Sequence, residues 1–272
     1  MKHHSKNYNL KNPRDRFSRE DSDSLWIAGK NPCLIILKNK SRQIFEIAVS
    51  KNNLNFITEF LINNSLKNFL KIIKIVDNNF FNNILSHDFV HQGIAIRASK
   101  LNIKTQFDLL TELNLIDNLN NLPDLLILDQ ITDPQNVGAI IRSAVAFNFK
   151  KIILCERNSA KESSSLIKAS AGNIEFAEFY EANNINYLME KLKKLGYWCV
   201  GLAGEGKNSQ KAIAQYKNIV LVVGSEGEGI RNLVKKNCDL LVRINTNEAV
   251  ESLNVSVATA IALNEIYLAK NV

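Results

Sequence analysis

Leu125-Leu126-Ile127-Leu128-Asp129-Gln130-Ile131-Thr132-Asp133-Pro134-Gln135-Asn136-Val137-Gly138-Ala139-Ile140-Ile141-Arg142 decides how this chain is read. Four consecutive branched apolar residues with no polar alternation suit a strand buried on both faces. Asp133 followed by Pro134 is a helix start. The carboxylate can receive free N–H groups of the first turn, and proline at the first helical position sacrifices no bond. Working outward, apolar runs recur at Lys151–Leu154, Trp198–Leu202 and Ile219–Val223, with helical patterns between them. That alternation predicts an α/β fold, a parallel sheet covered by helices, with ligands at the carboxyl ends of its strands. Gly138 and Ala139 carry little bulk, and Asn136 and Arg142 stand close to where the strand delivers its ligand. The plain alternative for this segment is a capped helix with a solvated arginine.

Upstream the texture changes. Residues 1–24 are polar, mixed in charge and without apolar periodicity, which predicts a disordered arm. Residues 25–99 read as a small α/β unit. Its expected strands are Phe45–Val49, Leu70–Val76 and Gly93–Ile96, and Leu54–Leu66 has helical spacing. Residues 100–121 read as a polar, helical linker, and 122–272 as the unit that carries the chemistry.

With 272 residues, 34 Lys and Arg against 27 Asp and Glu, and a formal charge of +7, the chain suits an anionic partner, nucleic acid first. Cys33, Cys155, Cys199 and Cys238 are widely spaced, with no histidine beside them, so no zinc site and no metal are expected. No apolar run approaches membrane-spanning length. The expected setting is therefore cytoplasmic, with no membrane partner.

Two further segments carry possible chemistry. Gly224-Ser225-Glu226-Gly227-Glu228-Gly229 follows an apolar run, and its glycines let bare backbone meet a ligand, but the spacing is not that of a dinucleotide fingerprint. Ser252-Leu253-Asn254-Val255-Ser256-Val257-Ala258 reads as a loop entering a helix with Ser252 as N-cap. The later turns, apolar on most sides, point to core or a subunit interface. A rival lies at Gly201-Leu202-Ala203-Gly204-Glu205-Gly206-Lys207-Asn208. It nearly matches a phosphate-binding P-loop but lacks the hydroxyl that ligates Mg²⁺ and places Glu205 inside the cradle.

In this order and spacing, Asp133-Pro134-x-Asn136-x-Gly138-Ala139-x-x-Arg142, Gly224-Ser225-Glu226-Gly227-x-Gly229, and Ile244 with Ser252–Ala258 resemble the SpoU (TrmH) family of RNA ribose 2′-O-methyltransferases, in the SPOUT class. Trp26-Ile27-x-Gly29-Lys30-Asn31 and His91-Gln92-Gly93-Ile94 are similar to the L30e-like RNA-binding domain that precedes the catalytic domain in some members. These matches point to the branch that methylates a guanosine of 23S rRNA. The resemblance implies a C-terminal trefoil-knotted α/β domain, one of the exceptions to unthreaded chains. It implies S-adenosylmethionine held by Gly224, Ile244 and Leu253, with the turn at Ala203 and Gly204 alongside. It implies a homodimer acting on RNA, with Arg142 as the proposed base, Glu226 orienting Arg142 or Asn136, and Asn254 on the ribose or the partner's site. Methylation of tRNA by the same chemistry, a non-catalytic ribosome-assembly factor, and a P-loop nucleotidase are the alternatives.

One stretch departs from the family. Where members have Ile-Pro-Met-x-Gly, this chain has Ile244-Asn245-Thr246-Asn247-Glu248. A side chain at a position that favours positive φ is strained, so a different loop and weaker cofactor affinity are expected, with catalysis retained. Titration calorimetry should find weak but measurable S-adenosylmethionine binding. No binding, with or without RNA, would favour the non-catalytic alternative.

Overall fold

The computed structural model describes residues 23–39, 41–85, 90–118, 122–247, 249 and 252–271. The arm expected over 1–24 lies outside them except for Asp23 and Ser24. The chain divides into two compact units: residues up to Cys33 with Arg42–Lys100, and Leu34–Ser41 with Leu101 onward.

The first unit contains β1 (Ser24–Ala28), the start of α1 (Lys30–Lys38), β2 (Ile44–Ser50), α2 (Leu54–Asn63), β3 (Ile73–Val76), α3 (Asn78–Ile84) and β4 (Ile94–Ser99). Its sheet runs β1-β4-β2-β3, with β4 antiparallel to both neighbours and β2 parallel to β3. Ala28, Ala48 and Ala95 make room for Phe81, on which the His91 ring stacks at 4.2 Å. The strand expected over Leu70–Val76 begins only at Ile73. Lys67–Ile72 is a 3₁₀ turn entered by Phe69 N–H donating to Leu66 O, and pairing with β2 starts at Ile73 opposite Ile47. A short apolar run does not by itself distinguish the two states.

The second unit is an eight-stranded, wholly parallel sheet. In chain order its strands are β5 (Ile103–Thr105), β6 (Leu125–Asp129), β7 (Lys151–Cys155), β8 (Glu178–Ala182), β9 (Trp198–Leu202), β10 (Asn208–Ser209), β11 (Ile219–Gly224) and β12 (Leu240–Arg243). In space they run β10-β12-β9-β11-β6-β7-β8-β5. The helices are α4 (Gln106–Asn114), α5 (Pro134–Ala146), α6 (Ser164–Ala169), α7 (Ile185–Lys194), α8 (Asn232–Lys236) and α9 (Val255–Asn271). Residues 101–118, read from sequence as a helical linker, supply the expected helix and, in addition, an edge strand of this sheet. Thr105 and Asp108 form a capping box, and Leu109 and Leu113 are buried one turn apart.

Strand pleat separates two packed faces. Leu125, Ile127, Ile153, Tyr180, Val220 and Val222 join residues of α4, α7 and α8 in one cluster. Their alternates Leu126, Ile152, Val200 and Leu221 are equally buried on the opposite face. There α5 packs against α6 and α9. A Cβ on Gly138 would collide with the Ala169 side chain and come within 2.8 Å of Leu166 O, so glycine permits the α5–α6 approach.

At the amino end of β7, Lys151 Nζ donates to Tyr180 Oη (2.6 Å), Glu112 Oε2 (2.7 Å) and Glu178 Oε2 (3.0 Å), and Lys104 joins both carboxylates. Burial pushes the Glu112 carboxyl up, but hydrogen bonds from Lys104, Lys151 and Tyr180 outweigh it and hold the pKa at about 2. Lys151→Met removes a mostly buried cation and is expected to lower unfolding stability by about 1–2 kcal/mol at neutral pH, because Glu112 and Glu178 are part-exposed and keep Lys104. A depressed native pKa contributes stability that is complete above the unfolded value of 4.5 and lost as pH falls toward 2. Urea titrations should therefore show the difference between variant and wild type shrinking across that window. A pH-independent difference would assign the effect to packing of the lysine stem.

Candidate active site

From β6 the strands advance through β7 to β8, then the chain returns across the sheet to β9, so the order reverses between β6 and β11. The carboxyl end of such a reversal leaves a crevice between diverging loops. The loop after β6 leads to α5, whose N-cap Asp133 receives Gln135 N–H (3.1 Å) and Asn136 N–H (3.2 Å). This sets Asn136, 9% exposed, at the crevice.

Asn136 Nδ2 donates to Glu226 Oε2 at 3.0 Å, across the crevice from the loop after β11. Asn136 Oδ1 accepts from Asn254 Nδ2 at 2.9 Å, and the same nitrogen lies 3.5 Å from Glu226 Oε1. Asn254 Oδ1 in turn accepts from Ser256 N–H (2.9 Å) and Ser256 Oγ (2.6 Å). The polarity of this relay is forced. A carboxylate only accepts and a backbone N–H only donates, so both amides have one permitted orientation between them. Asn254, not Ser252, is therefore the N-cap of α9. Serine and asparagine are equivalent cap types from sequence, and the relay selects between them.

Arg142 is not part of this web. It is exposed and makes no hydrogen bond or ion pair among the described residues. Six positions beyond Asn136, it projects roughly 120° away around α5. Glu226 thus engages Asn136, not Arg142. The groove beside Arg142, between α5 and α9, is lined by Ala139, Ser143, Val257, Ala260 and Ile261.

The residues expected to hold a cofactor share one end of the sheet. Register sets Val223 beside Leu202 and Leu202 beside Val242, so Gly224, Ala203 and Arg243 are level across β11, β9 and β12, with Ile244 next. Leu253 precedes the cap of α9, and it and Ile244 are half-buried. The turn over residues 225–229 folds back on Gly224, where a Cβ would overlap Gly229. From β9 the loop over residues 203–207 passes the end of β12 to reach β10 on its far side. Ala203 N–H bonds Val242 O at 2.9 Å, and a Cβ on Gly206 would stand 2.6 Å from Val242 C. A P-loop needs a helix N-terminus at this point. Here the loop enters a strand instead, and Glu205 is ion-paired with Lys235. The divergent stretch after Ile244 is exposed, with Asn247 Oδ1 accepting Ala249 N–H (2.9 Å); Glu248 lies outside the described residues.

Sequence reasoning missed a buried ion pair. Asp129, fully buried at the end of β6, accepts Arg231 N–H (2.9 Å) and Nε–H (2.7 Å), with Nη2 at 2.6 Å from the same carboxylate. This pins the loop that carries Glu226. The neighbouring Cys155 thiol is pushed up to about 11, chiefly by burial. Nothing in the composition pairs two residues 102 positions apart. Among the described residues no cluster of three metal-ligating side chains occurs, and no helix is long and apolar enough to cross a membrane.

Residues 124–264 match the model of the SpoU rRNA Methylase family. A Borreliella burgdorferi protein named an uncharacterized tRNA/rRNA methyltransferase is 35% identical over 205 residues, covering 72% of this chain and 87% of the relative. The 23S rRNA (guanosine-2′-O-)-methyltransferase RlmB of Xylella fastidiosa is 30% identical over 240 residues, 88% of this chain and 94% of its own. The AdoMet-bound rRNA methyltransferase from Sinorhizobium meliloti superposes with a TM-score of 0.71 at 20% identity, over 95% of each chain. The SpoU methyltransferase AviRb from Streptomyces viridochromogenes, in complex with AdoMet, gives 0.70 at 15%, over 94% and 96%. These two likenesses show a shared SPOUT-type α/β fold. With more than half its length matched and relatives at this identity, the chain belongs to the SpoU rRNA methylase family.

Proposed function

We propose that this protein methylates the 2′-hydroxyl of a guanosine ribose in 23S rRNA, using S-adenosylmethionine. The observation that carries the reading is the Asn136–Glu226–Asn254 relay, which unites three separate family motifs at one crevice. The RNA target follows the names of relatives such as RlmB and the net charge of +7.

The residues present fit the cofactor. Ile244 and Leu253 offer half-buried apolar surface for a flat heterocycle, and a Cβ on Gly204 would meet nothing within 4 Å, so that turn leaves open space beside Ala203. Gly224, Ile244, Leu253, Ala203 and Gly204 would hold it. When bound, the sulfonium supplies an electrophilic methyl group and leaves as a neutral thioether. Glu226, with its orientation locked by Asn136, sets negative charge at the crevice. Asn254 fixes the entry of α9, and the Nδ2 hydrogen that it holds loosely toward Glu226 at 3.5 Å turns to the ribose when RNA binds. Arg142 clamps an RNA phosphate and donates to the 2′-oxygen. A guanidinium stays protonated throughout the working pH range, so base duty for Arg142 is partial at most. The hydroxyl proton passes to water as the O–CH3 bond forms, and rate comes mainly from alignment of the hydroxyl.

The assembly is a homodimer through the apolar α5–α9 groove, which explains why Val257 and Leu268 are half-exposed in the single chain and Arg142 finds no partner there. The passage of the loop over residues 203–207 across β12, followed by the return of α9 to β9 and β11, supports a trefoil knot. Residues 25–99 serve as the L30e-like RNA-binding domain, the catalytic domain begins at Leu101 with β5 and α4, and the protein works in the cytoplasm.

Mapping ribose methylation across rRNA and tRNA in a strain lacking this protein should show loss at one 23S guanosine. Loss confined to tRNA would overturn the target, and no loss the activity. In single-turnover assays, Arg142→Lys should be slower by about tenfold or more across the pH range, because lysine cannot reproduce the two-pronged phosphate contact. A near-wild-type rate would remove any special guanidinium role.

A further inference from the structure

The carboxyl ends of β5, β6, β7 and β8 open onto a cleft of about 740 Å³ that shares no residue with the Asn136–Glu226–Asn254 web. Its walls include Phe107 at the start of α4, Tyr187 at the start of α7, and Arg157 on the loop after β7. Phe107 is 56% exposed and Tyr187 37% exposed. Their ring centroids are 6.5 Å apart at 57°, so no parallel slot lies between them; Lys191 Nζ sits 5.2 Å over the Tyr187 ring, which leaves Phe107 as the more open surface. Arg157 is exposed and has no ion pair among the described residues, whereas Arg231 is committed to Asp129. Glu156 also lines the cleft and offsets part of this charge.

Gln106 adds a second kind of observation. It is 3% exposed, and its Nε2 donates to Asn183 Oδ1 at 2.8 Å, but its Oε1 is buried with no hydrogen-bond partner. Buried acceptors are rarely left so, and a donor in the cleft that Gln106 lines would reach this one after a turn of the amide. An aromatic face, an unpaired guanidinium and one amide seeking a donor are together what an unstacked nucleotide requires. Half-exposed rings on an open rim would cover only one face of a base, too little to retain a free nucleotide but useful when added to the other contacts of a polymer.

We propose that this cleft takes an unpaired nucleotide of the RNA substrate, other than the one methylated. Its base stacks on Phe107, its phosphate meets Arg157, and an N–H on its base edge reaches Gln106. The inference rests on the reading of this protein as an RNA enzyme.

The test uses the full chain with a labelled single-stranded RNA, its paired duplex, the four nucleoside monophosphates, and a 23S rRNA fragment as methyl acceptor. Phe107→Ala should weaken single-strand binding about tenfold, and Phe107→Tyr should restore it. Arg157→Ala should reduce the salt slope of binding by about one. In methyl transfer the Phe107→Ala loss should appear in KM for RNA, with S-adenosylmethionine affinity as in wild type. Phe107 is largely exposed, and matching thermal melts would verify folding. Unchanged RNA affinity in Phe107→Ala, in a protein that still methylates, would overturn the cleft and leave the enzyme reading intact. Monophosphates binding as tightly as the strand would overturn it too. RNA binding that depends on Phe107 without any methyl incorporation would support the cleft and sink the methyltransferase reading.

Discussion

A side-chain amide has one end that donates and one that accepts, and Asn136 stands where that asymmetry governs three loops. Its nitrogen faces the Glu226 carboxylate and its oxygen faces the Asn254 amide, which in turn must turn its own oxygen to the Ser256 N–H in the first turn of α9. Reversing any one amide would set like against like along the relay. The helix after β6, the turn after β11 and the start of the last helix are thereby held in mutual position by hydrogen bonds whose sense cannot be exchanged. Asp129 and Arg231 reinforce the arrangement from beneath. Their pair is buried on the acid side and anchors the far end of the Glu226 turn to β6.

The sheet supplies the other half of the order. Because all eight strands are parallel, every loop that could hold a ligand leaves from one edge, and register decides which loops are neighbours. The level alignment of Gly224, Ala203 and Arg243 places the candidate cofactor residues on one side of the reversal point, and the Phe107–Arg157 cleft on the other.

Much of this architecture was legible in the residues. β6, β7, β9 and β11 announce themselves because strands buried on both faces are unbroken apolar runs. β8, Glu-Phe-Tyr-Glu-Ala, does not, since its glutamates interrupt the run. β10 has two residues and exists only by pairing with β12. The helix over Gln106–Asn114 was legible, but β5 was not, because three residues show no pattern until they pair with β8. At the site, the identities of Asn136, Glu226 and Asn254 were readable from motif chemistry, but their connectivity was not, because it depends on distances of up to 118 positions along the chain. The separation of Arg142 from that relay was implicit in helical geometry. Six residues cannot bring two side chains to the same face.

Lys270, in the last turn of α9, binds both oxygens of Asp124 at 2.6 Å, and Asp124 Oδ1 also receives Ile219 N–H at 2.8 Å. The entry to β6 and the end of the final helix are therefore adjoining points, although 146 positions separate them. A segment whose two ends already meet is topologically close to a ring. The serial order of its strands is one of several ways to cut that ring, and a chain rejoined at this ion pair and opened at the exposed Gly196 turn would carry the same spatial neighbours in a new sequence order.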